Sequence, residues 1–292
     1  MKVWVTGASG FIGRNLKEQL VPEFEVLAPA HSALDLLDED AVSRFLKRER
    51  PDVVVHCATK PGHRNAPDPT GLIAANTRMF HNIARNRGAY GRMVLLTSGA
   101  VYDQRYYEPK MPESNFDAHV PVDETGYSKY LCAKHAALLD HVVELRPFGV
   151  FGKYEDWEIR FISNAICKTL FDLPITIKQN RRFDYVFVDD LAAVVRHFLL
   201  DGDASGAYNM TPDYSVELKE IAELILRVAG KRLPISVAQP GLGIEYSGDN
   251  GKLKSALPGF PFTALETAVR SLYGWYEEHC GLIHRELLLD DK

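Results

Sequence analysis

The chain has 292 residues and carries 34 Lys and Arg against 39 Asp and Glu, a formal charge of −5, with 46% hydrophobic residues. This length and balance predict one large or two unequal globular units, and the absence of a Lys/Arg stripe speaks against a nucleic-acid binder. No stretch approaches the ~18 uninterrupted apolar residues of a membrane span, and the first residues read as a strand, not a signal peptide, so a cytoplasmic protein with no membrane partner is expected.

Short β-branched runs alternate with helical patterns from the first residue. Strands are predicted at 2–6, 25–28, 53–56, 93–97 and 141–146, and helices at 11–20, 40–49, 73–86 and 128–139. Strands separated by helices of this length predict a parallel sheet with crossover helices, a doubly wound α/β fold of Rossmann type. After Pro147 the rhythm loosens into a helix at 160–171, strands at 175–177 and 185–188, and helices at 191–200, 216–228 and 265–278. These elements suit a smaller C-terminal α+β lobe for substrate. A dinucleotide-binding domain is expected over 1–152, with 185–212 returning to it, and a substrate lobe over 153–184 and 213–292. Residues 287–292 are expected to fray. Cys57, Cys132, Cys167 and Cys280 make no C-x-x-C pair and read as reduced core thiols. No histidine pattern has metal-ligand spacing, and no metal is expected.

The strongest chemical signal is Thr6-Gly7-Ala8-Ser9-Gly10-Phe11-Ile12-Gly13, set between the first strand and the first helix. Gly7 permits a tight turn, Gly10 a close approach to a pyrophosphate, and Gly13 close helix–strand packing. The helix start, with Ser9, Phe11 and Ile12, offers N–H donors to phosphates. About 20 residues further on, where an acid would bind a ribose diol, stand Ala28-Pro29-Ala30-His31-Ser32. Without that acid a 2′-phosphate is not repelled and His31 and Ser32 can donate to it, so NADP(H) is favoured over NAD(H). The plainer alternative is a turn serine beside an exposed histidine.

Further motifs follow in order: Asp35-Leu36-Leu37-Asp38, His56-Cys57-Ala58-Thr59, Thr97-Ser98-Gly99-Ala100-Val101-Tyr102, Ser128-Lys129, Arg146-Pro147-Phe148-Gly149-Val150-Phe151-Gly152, Val188-Asp189-Asp190-Leu191 and Gly206-Ala207-Tyr208-Asn209-Met210. In this order the chain resembles the extended short-chain dehydrogenases/reductases over nearly its whole length. It is most similar to the nucleotide-sugar epimerase/dehydratase branch, of the GDP-fucose synthase and dTDP-4-dehydrorhamnose reductase types. The resemblance implies that Asp35 and Leu36 flank the adenine, that Ala58 and Thr59 lie along the cofactor with Lys60 near its nicotinamide side, and that the segment from Pro147 passes the nicotinamide ring. It implies hydride transfer between a sugar carbon and the nicotinamide. Ser98 would hydrogen-bond the reacting oxygen, and Lys129 would bind the nicotinamide ribose and lower the pKa of a neighbouring phenol. A homodimer through the lysine-bearing helix is also implied.

The pattern then breaks. The family writes Tyr-x-x-Ser-Lys, residues four apart sharing a helix face, whereas this chain has Thr125-Gly126-Tyr127-Ser128-Lys129. An aliphatic hydroxyl is a poor acid, and loss of a general acid typically costs ~10²–10⁴ in rate. Tyr127 on a displaced helix start, the Tyr130/Lys134 pair, or Ser98 with a water are the open substitutes for Thr125, and Tyr127 is ranked first. Sugar dehydratases of this type carry Asp-Glu where Gly99-Ala100 stand, and GDP-fucose synthases carry a cysteine at the position of Ala100. Neither chemistry is expected here.

The family's phosphate-binding Arg stands seven residues before the second Asp of the Val-Asp-Asp-Leu motif. That register holds Phe183, with Arg182 one step off. Arg182 and Arg160 are the candidate substrate residues, with Lys153 and His63-Arg64-Asn65 weaker ones. The expected function is reduction of a 4-keto nucleotide sugar. The alternatives are a C4 epimerase with tightly bound NAD(P)+ and a non-catalytic dinucleotide-binding sensor or scaffold.

Overall fold

A computed structural model of the chain describes residues 1–289. The first half runs β1 (Lys2–Thr6), α1 (Phe11–Leu20), β2 (Glu25–Leu27), α2 (Glu39–Glu49), β3 (Val53–His56), α3 (Leu72–Ala84), β4 (Arg92–Leu96), α4 (Glu124–Ala136) and β5 (Val142–Pro147). It continues with β6 (Gly149–Phe151), α5 (Phe161–Leu170), β7 (Ile175–Asn180), β8 (Arg182–Phe183), β9 (Tyr185–Phe187), α6 (Val188–Leu200) and β10 (Gly206–Met210). The last elements are β11 (Val216–Glu217), α7 (Leu218–Ala229), β12 (Ile235–Leu242), α8 (Gly251–Ala256) and α9 (Leu265–Glu278).

Six strands form one parallel sheet in the order β2-β1-β3-β4-β5-β10. Successive strand residues face opposite sides. Val3, Val5, Val53 and Val55 accordingly pack with Leu16 of α1 and Leu191 and Phe198 of α6. Trp4 and Val54 pack on the other side with Val42 and Leu46 of α2 and Phe80 of α3. Strand order reverses between β1 and β3, and a doubly wound sheet opens its ligand crevice beyond the carboxyl ends at such a point. The Rossmann-type fold is therefore observed. A separate apolar cluster joins α5, α7 and α9 through Ile162, Ile166, Ile221, Ile225, Val269 and Leu272, flanked by the β7–β12, β8–β11 and β6–β9 pairs.

Several boundaries differ from the sequence expectation. Helix α4 begins at Glu124, not 128, because Asp123 caps it by accepting the Gly126 N–H at 2.7 Å. Helix α6 begins at Val188, so Asp189 and Asp190 form its first turn, and Asp190 accepts from the Thr263 N–H and hydroxyl. Strand β12 was hidden by Pro240 and Gly241, residues that argue against a strand but are tolerated on an edge. Leu288, expected to fray, is 1% exposed in a 3₁₀ turn, while residues 290–292 lie outside the described ones. Cys280 is exposed and not a core thiol, whereas Cys132 and Cys167 are buried.

Candidate active site

The loop after β1 is shaped by close backbone contact. Gly7 has φ +65°, and a β-carbon there would lie 2.8 Å from Ala58 Cα. One on Gly13 would lie 2.2 Å from the Gly7 carbonyl oxygen, which also accepts the Gly10 N–H at 3.0 Å. Helix α1 has no capping side chain and no acid in its first turn, in contrast to α2, which Asp38 caps at the Ala41 N–H. Its first N–H groups, those of Phe11, Ile12 and Gly13, thus face the exposed Ser9–Gly10 corner, an arrangement that fits a pyrophosphate.

Across the crevice, Thr6 Oγ1 accepts the Cys57 and Ala58 N–H groups at 3.2 and 3.1 Å and lies 2.9 Å from His56 Nδ1. Burial lowers the His56 pKa to about 4, which favours the neutral ring. Asn76, which sequence reasoning missed, joins three segments. Its Oδ1 accepts the Lys60 N–H at 2.7 Å and meets Thr59 Oγ1 at 3.3 Å, while its Nδ2 reaches Ser128 Oγ on α4. The Lys60 ammonium is paired with Asp68 at 2.5 Å, within the loop that follows β3.

At the far end of the crevice His31 and Ser32 are exposed, with His31 Nδ1 4.0 Å from Asp35 Oδ1. The same carboxylate oxygen accepts the Leu37 N–H at 2.9 Å and so closes a turn. Leu36 is buried, and its carbonyl accepts from Asn82.

Ser98 stands at the mouth of the sheet just beyond β4, where its Oγ accepts the Ala100 N–H at 3.1 Å. Lys129 reaches the same strand end, donating to the Thr97 carbonyl at 3.4 Å. Burial lowers the pKa of its ammonium, and nearby Cys132 and Glu144 oppose that shift. Under the strand ends, Thr97 Oγ1 donates to Glu144 at 2.6 Å. Glu144 is held by Arg146 through two hydrogen bonds of 2.9 and 2.8 Å, and Arg146 reaches the Tyr102 hydroxyl. Pro147 ends β5 buried beside this network.

The capped start of α4 decides which hydroxyl accompanies Lys129. Thr125 lies one turn before it, and its Oγ1 would be 2.7 Å from a β-carbon on Gly62 in the loop after β3. Tyr127 points elsewhere, with its ring stacked on that of Tyr130 at 6.3 Å and 14°. The displaced helix start that would bring Tyr127 to Lys129 does not form. Gly126 sits in regular helix, where its missing side chain admits the Ala100 carbonyl to 2.7 Å of the β-carbon position. The Tyr130/Lys134 pair is separate as well, because both side chains bind Asp117.

On the substrate side, Arg182 is engaged. It bonds the Ser215 carbonyl at 3.0 Å and Glu217 at 3.3 Å, on the face of β8 opposite Phe183. Arg181, in the one-residue gap between β7 and β8, places its guanidinium 6.0 Å from the Phe183 ring. Arg160 is exposed at the start of α5. Lys153 pairs with Glu18 at 2.8 Å, and Asn65 donates to Asp156 and Glu158, so these weaker candidates face acidic partners. An aromatic seam missed in the sequence runs from Phe183 to Tyr246 (5.7 Å), and from Tyr246 to Phe148 (4.9 Å) and Tyr107 (5.1 Å). Its members are far apart in sequence and form no motif.

The family model described as the NAD dependent epimerase/dehydratase family matches residues 3–211. The chain is 25% identical over 308 aligned residues to a protein named probable GDP-L-fucose synthase 1 of Oryza sativa subsp. japonica, an alignment covering 95% of this chain and 92% of that relative. It is 24% identical over 261 residues to the GDP-6-deoxy-D-mannose reductase of Pseudomonas aeruginosa, covering 80% and 82%. Among solved structures, a GDP-mannoheptose C4 reductase of Campylobacter jejuni with NADP bound superposes with a TM-score of 0.82 at 19% identity, covering 94% of this chain and 98% of that one.

Proposed function

Because the chain belongs to the NAD dependent epimerase/dehydratase family, we propose that it is a nicotinamide-dependent oxidoreductase of nucleotide-activated sugars that reduces a 4-keto group. The observation that carries this reading is the convergence of Lys129 and Ser98 on the end of β4, across the crevice from the uncapped helix start and the Gly7–Gly13 contact. Ala100 has no ionisable group, and residues 153–163 contain no histidine, so the sugar is reduced without proton exchange at its other carbons.

When bound, the nicotinamide cofactor supplies the hydride. The α1 N-terminus, Ser9 and Gly10 hold its pyrophosphate, Ala58, Thr59 and Lys60 line its path, and Asp35 and Leu36 flank the adenine. NADP(H) is the favoured form, because the Asp35 carboxylate closes its own turn and leaves His31 and Ser32 exposed for a 2′-phosphate. Lys129, whose ammonium reaches the end of β4 at the Thr97 carbonyl, takes the nicotinamide ribose hydroxyls, and Ser98 hydrogen-bonds the reacting oxygen as negative charge develops there. Arg181 replaces Arg182 as the guanidinium for the diphosphate, with Arg160 at the cleft edge. The same reading takes residues 1–152 with 185–212 as the cofactor domain, the remainder as the substrate lobe, and a homodimer packed through α3 and α4.

The test is to denature fresh protein, identify any released nucleotide, and then follow NADPH oxidation with a panel of GDP-, dTDP- and UDP-linked 4-keto sugars. Turnover with NADPH released readily supports the reductase. Tightly held NAD(P)+ with interconversion of C4 isomers replaces it by an epimerase, and failure to bind either dinucleotide replaces it by a non-catalytic protein.

A further inference from the structure

A reductase needs a proton for the oxygen it reduces, and α4 carries no phenol beside Lys129. Thr125 faces Gly62, Tyr127 stacks on Tyr130, and Tyr130 is bound to Asp117. A phenol nevertheless stands against Gly99, the residue that follows Ser98. Tyr246 arrives from the segment after β12, which is fastened to β8 by hydrogen bonds from the Tyr246 N–H to the Arg182 carbonyl at 2.9 Å and from the Asp184 N–H back to the Tyr246 carbonyl at 3.4 Å. Its hydroxyl lies 2.8 Å from where a β-carbon on Gly99 would be. Gly99 has no positive φ, so its lack of a side chain serves space and not backbone freedom. That space is filled by the Tyr246 hydroxyl and the Phe148 ring, the latter 2.7 Å from the same point. The second phenol, Tyr107, donates to the Gly99 carbonyl at 3.0 Å, and its ring centroid lies 5.1 Å from that of Tyr246.

Resting on the reductase reading above, we propose that Tyr246, supported by Tyr107, delivers the proton to the reduced carbonyl oxygen, taking the part for which α4 has no phenol. As hydride from the reduced nicotinamide adds to the carbonyl carbon, the C=O π pair moves to oxygen. The Tyr246 O–H bond breaks and the product O–H bond forms. The phenolate left on Tyr246 regains a proton from water once the product leaves.

Burial raises both phenols well above the usual tyrosine range. They therefore remain protonated at working pH, which disfavours the base step that oxidation of a sugar alcohol requires. Two hydroxyls in a ring-walled seam also cost desolvation that phenylalanines would avoid, so packing alone does not account for them.

The experiment is single-turnover oxidation of enzyme-bound NADPH by a GDP-4-keto-6-deoxyhexose, followed by loss of dihydronicotinamide absorbance, with NADPH affinity measured separately by fluorescence titration. Tyr246→Phe is expected to slow hydride transfer at least ~10²-fold with NADPH affinity kept within about twofold. Its residual rate should rise with the concentration of small buffer acids, a rescue that a packing defect would not produce. Tyr107→Phe, which remains informative should the first variant not fold, is expected to slow transfer about tenfold. Tyr106→Phe, an exposed ring stacked on His119, serves as the unchanged control. Turnover by Tyr246→Phe within about twofold of the unaltered chain overturns the assignment, as does an equal loss on Thr125→Ala or Tyr127→Phe. If the unaltered chain oxidises NADPH with none of the 4-keto sugars, the reductase reading itself falls and takes this role with it.

Discussion

Glu155, between β6 and α5, gives a prediction that depends on no substrate. It is 7% exposed, its Oε2 accepts the Ser163 hydroxyl at 2.7 Å, and burial raises its pKa to about 8 against the weaker opposing field of Arg160. In the unfolded chain a glutamate titrates near ~4.3. The folded state therefore binds more protons than the unfolded state between those values. Stability is fully present below the unfolded pKa and falls as pH rises toward 8, by at most about 1.4 kcal/mol per pH unit. Asp184, raised to about 7 by burial, adds a contribution of the same sign. Glu155→Gln removes the charge while its amide oxygen still accepts from Ser163. Asp184→Asn is less clean, because an amide NH2 in place of the unpartnered buried Oδ1 would have no acceptor. In thermal unfolding followed by circular dichroism, Glu155→Gln and the unaltered chain should match near pH 5. At pH 8.5 the variant should melt higher by about 2–6 °C, the shift for ~1–2 kcal/mol in a chain of this size. Parallel Tm curves across that range would refute the reasoning, since they would mean that Glu155 titrates alike in both states.

The remaining predictions concern the cleft. Gly13→Ala places a β-carbon 2.2 Å from the Gly7 carbonyl oxygen, a backbone atom that cannot step aside, so NADPH affinity measured by titration should fall at least ~10-fold. Lys129→Met and Ser98→Ala should each depress turnover at least ~10-fold, and unchanged turnover in both would remove them from the site. Arg181→Ala should raise the KM for a nucleotide sugar about tenfold or more. Arg182→Ala should instead lower Tm by stranding Glu217 and the Ser215 carbonyl, and the reverse pattern would return Arg182 to the substrate.

The sheet was legible because β-branched runs alternate with helical periodicity at the spacing a crossover unit demands, and the glycine loop because its placement between strand and helix carries the phosphate chemistry. What escaped is what a local pattern cannot encode. The start of α4 turned on one cap, Asp123, and that cap decides whether Thr125 or Tyr127 stands over Lys129. Arg181 and Arg182 are indistinguishable as neighbours in sequence. The position of Glu217, which engages Arg182, separates them, and it depends on β8 pairing with β11. Asn76 links three segments through one amide, and nothing around it in sequence marks it.

The two departures from the family pattern, threonine for tyrosine on α4 and Phe183 for arginine in the register before β9, meet in one place. Tyr246 touches the Gly99 position with its hydroxyl and lies edge-on to the Phe183 ring, which itself stacks on Tyr185 at 5.3 Å. A guanidinium at position 183 would put a charge among buried rings and a phenol already held above its usual range, a burial that is costly without a paired acid. With phenylalanine there, the seam carries no charge and packs around Tyr246, while the Arg181 guanidinium stands 6.0 Å from the Phe183 ring. On the reading proposed above the two departures are linked, because the same seam that seats Phe183 holds the Tyr246 hydroxyl against Gly99.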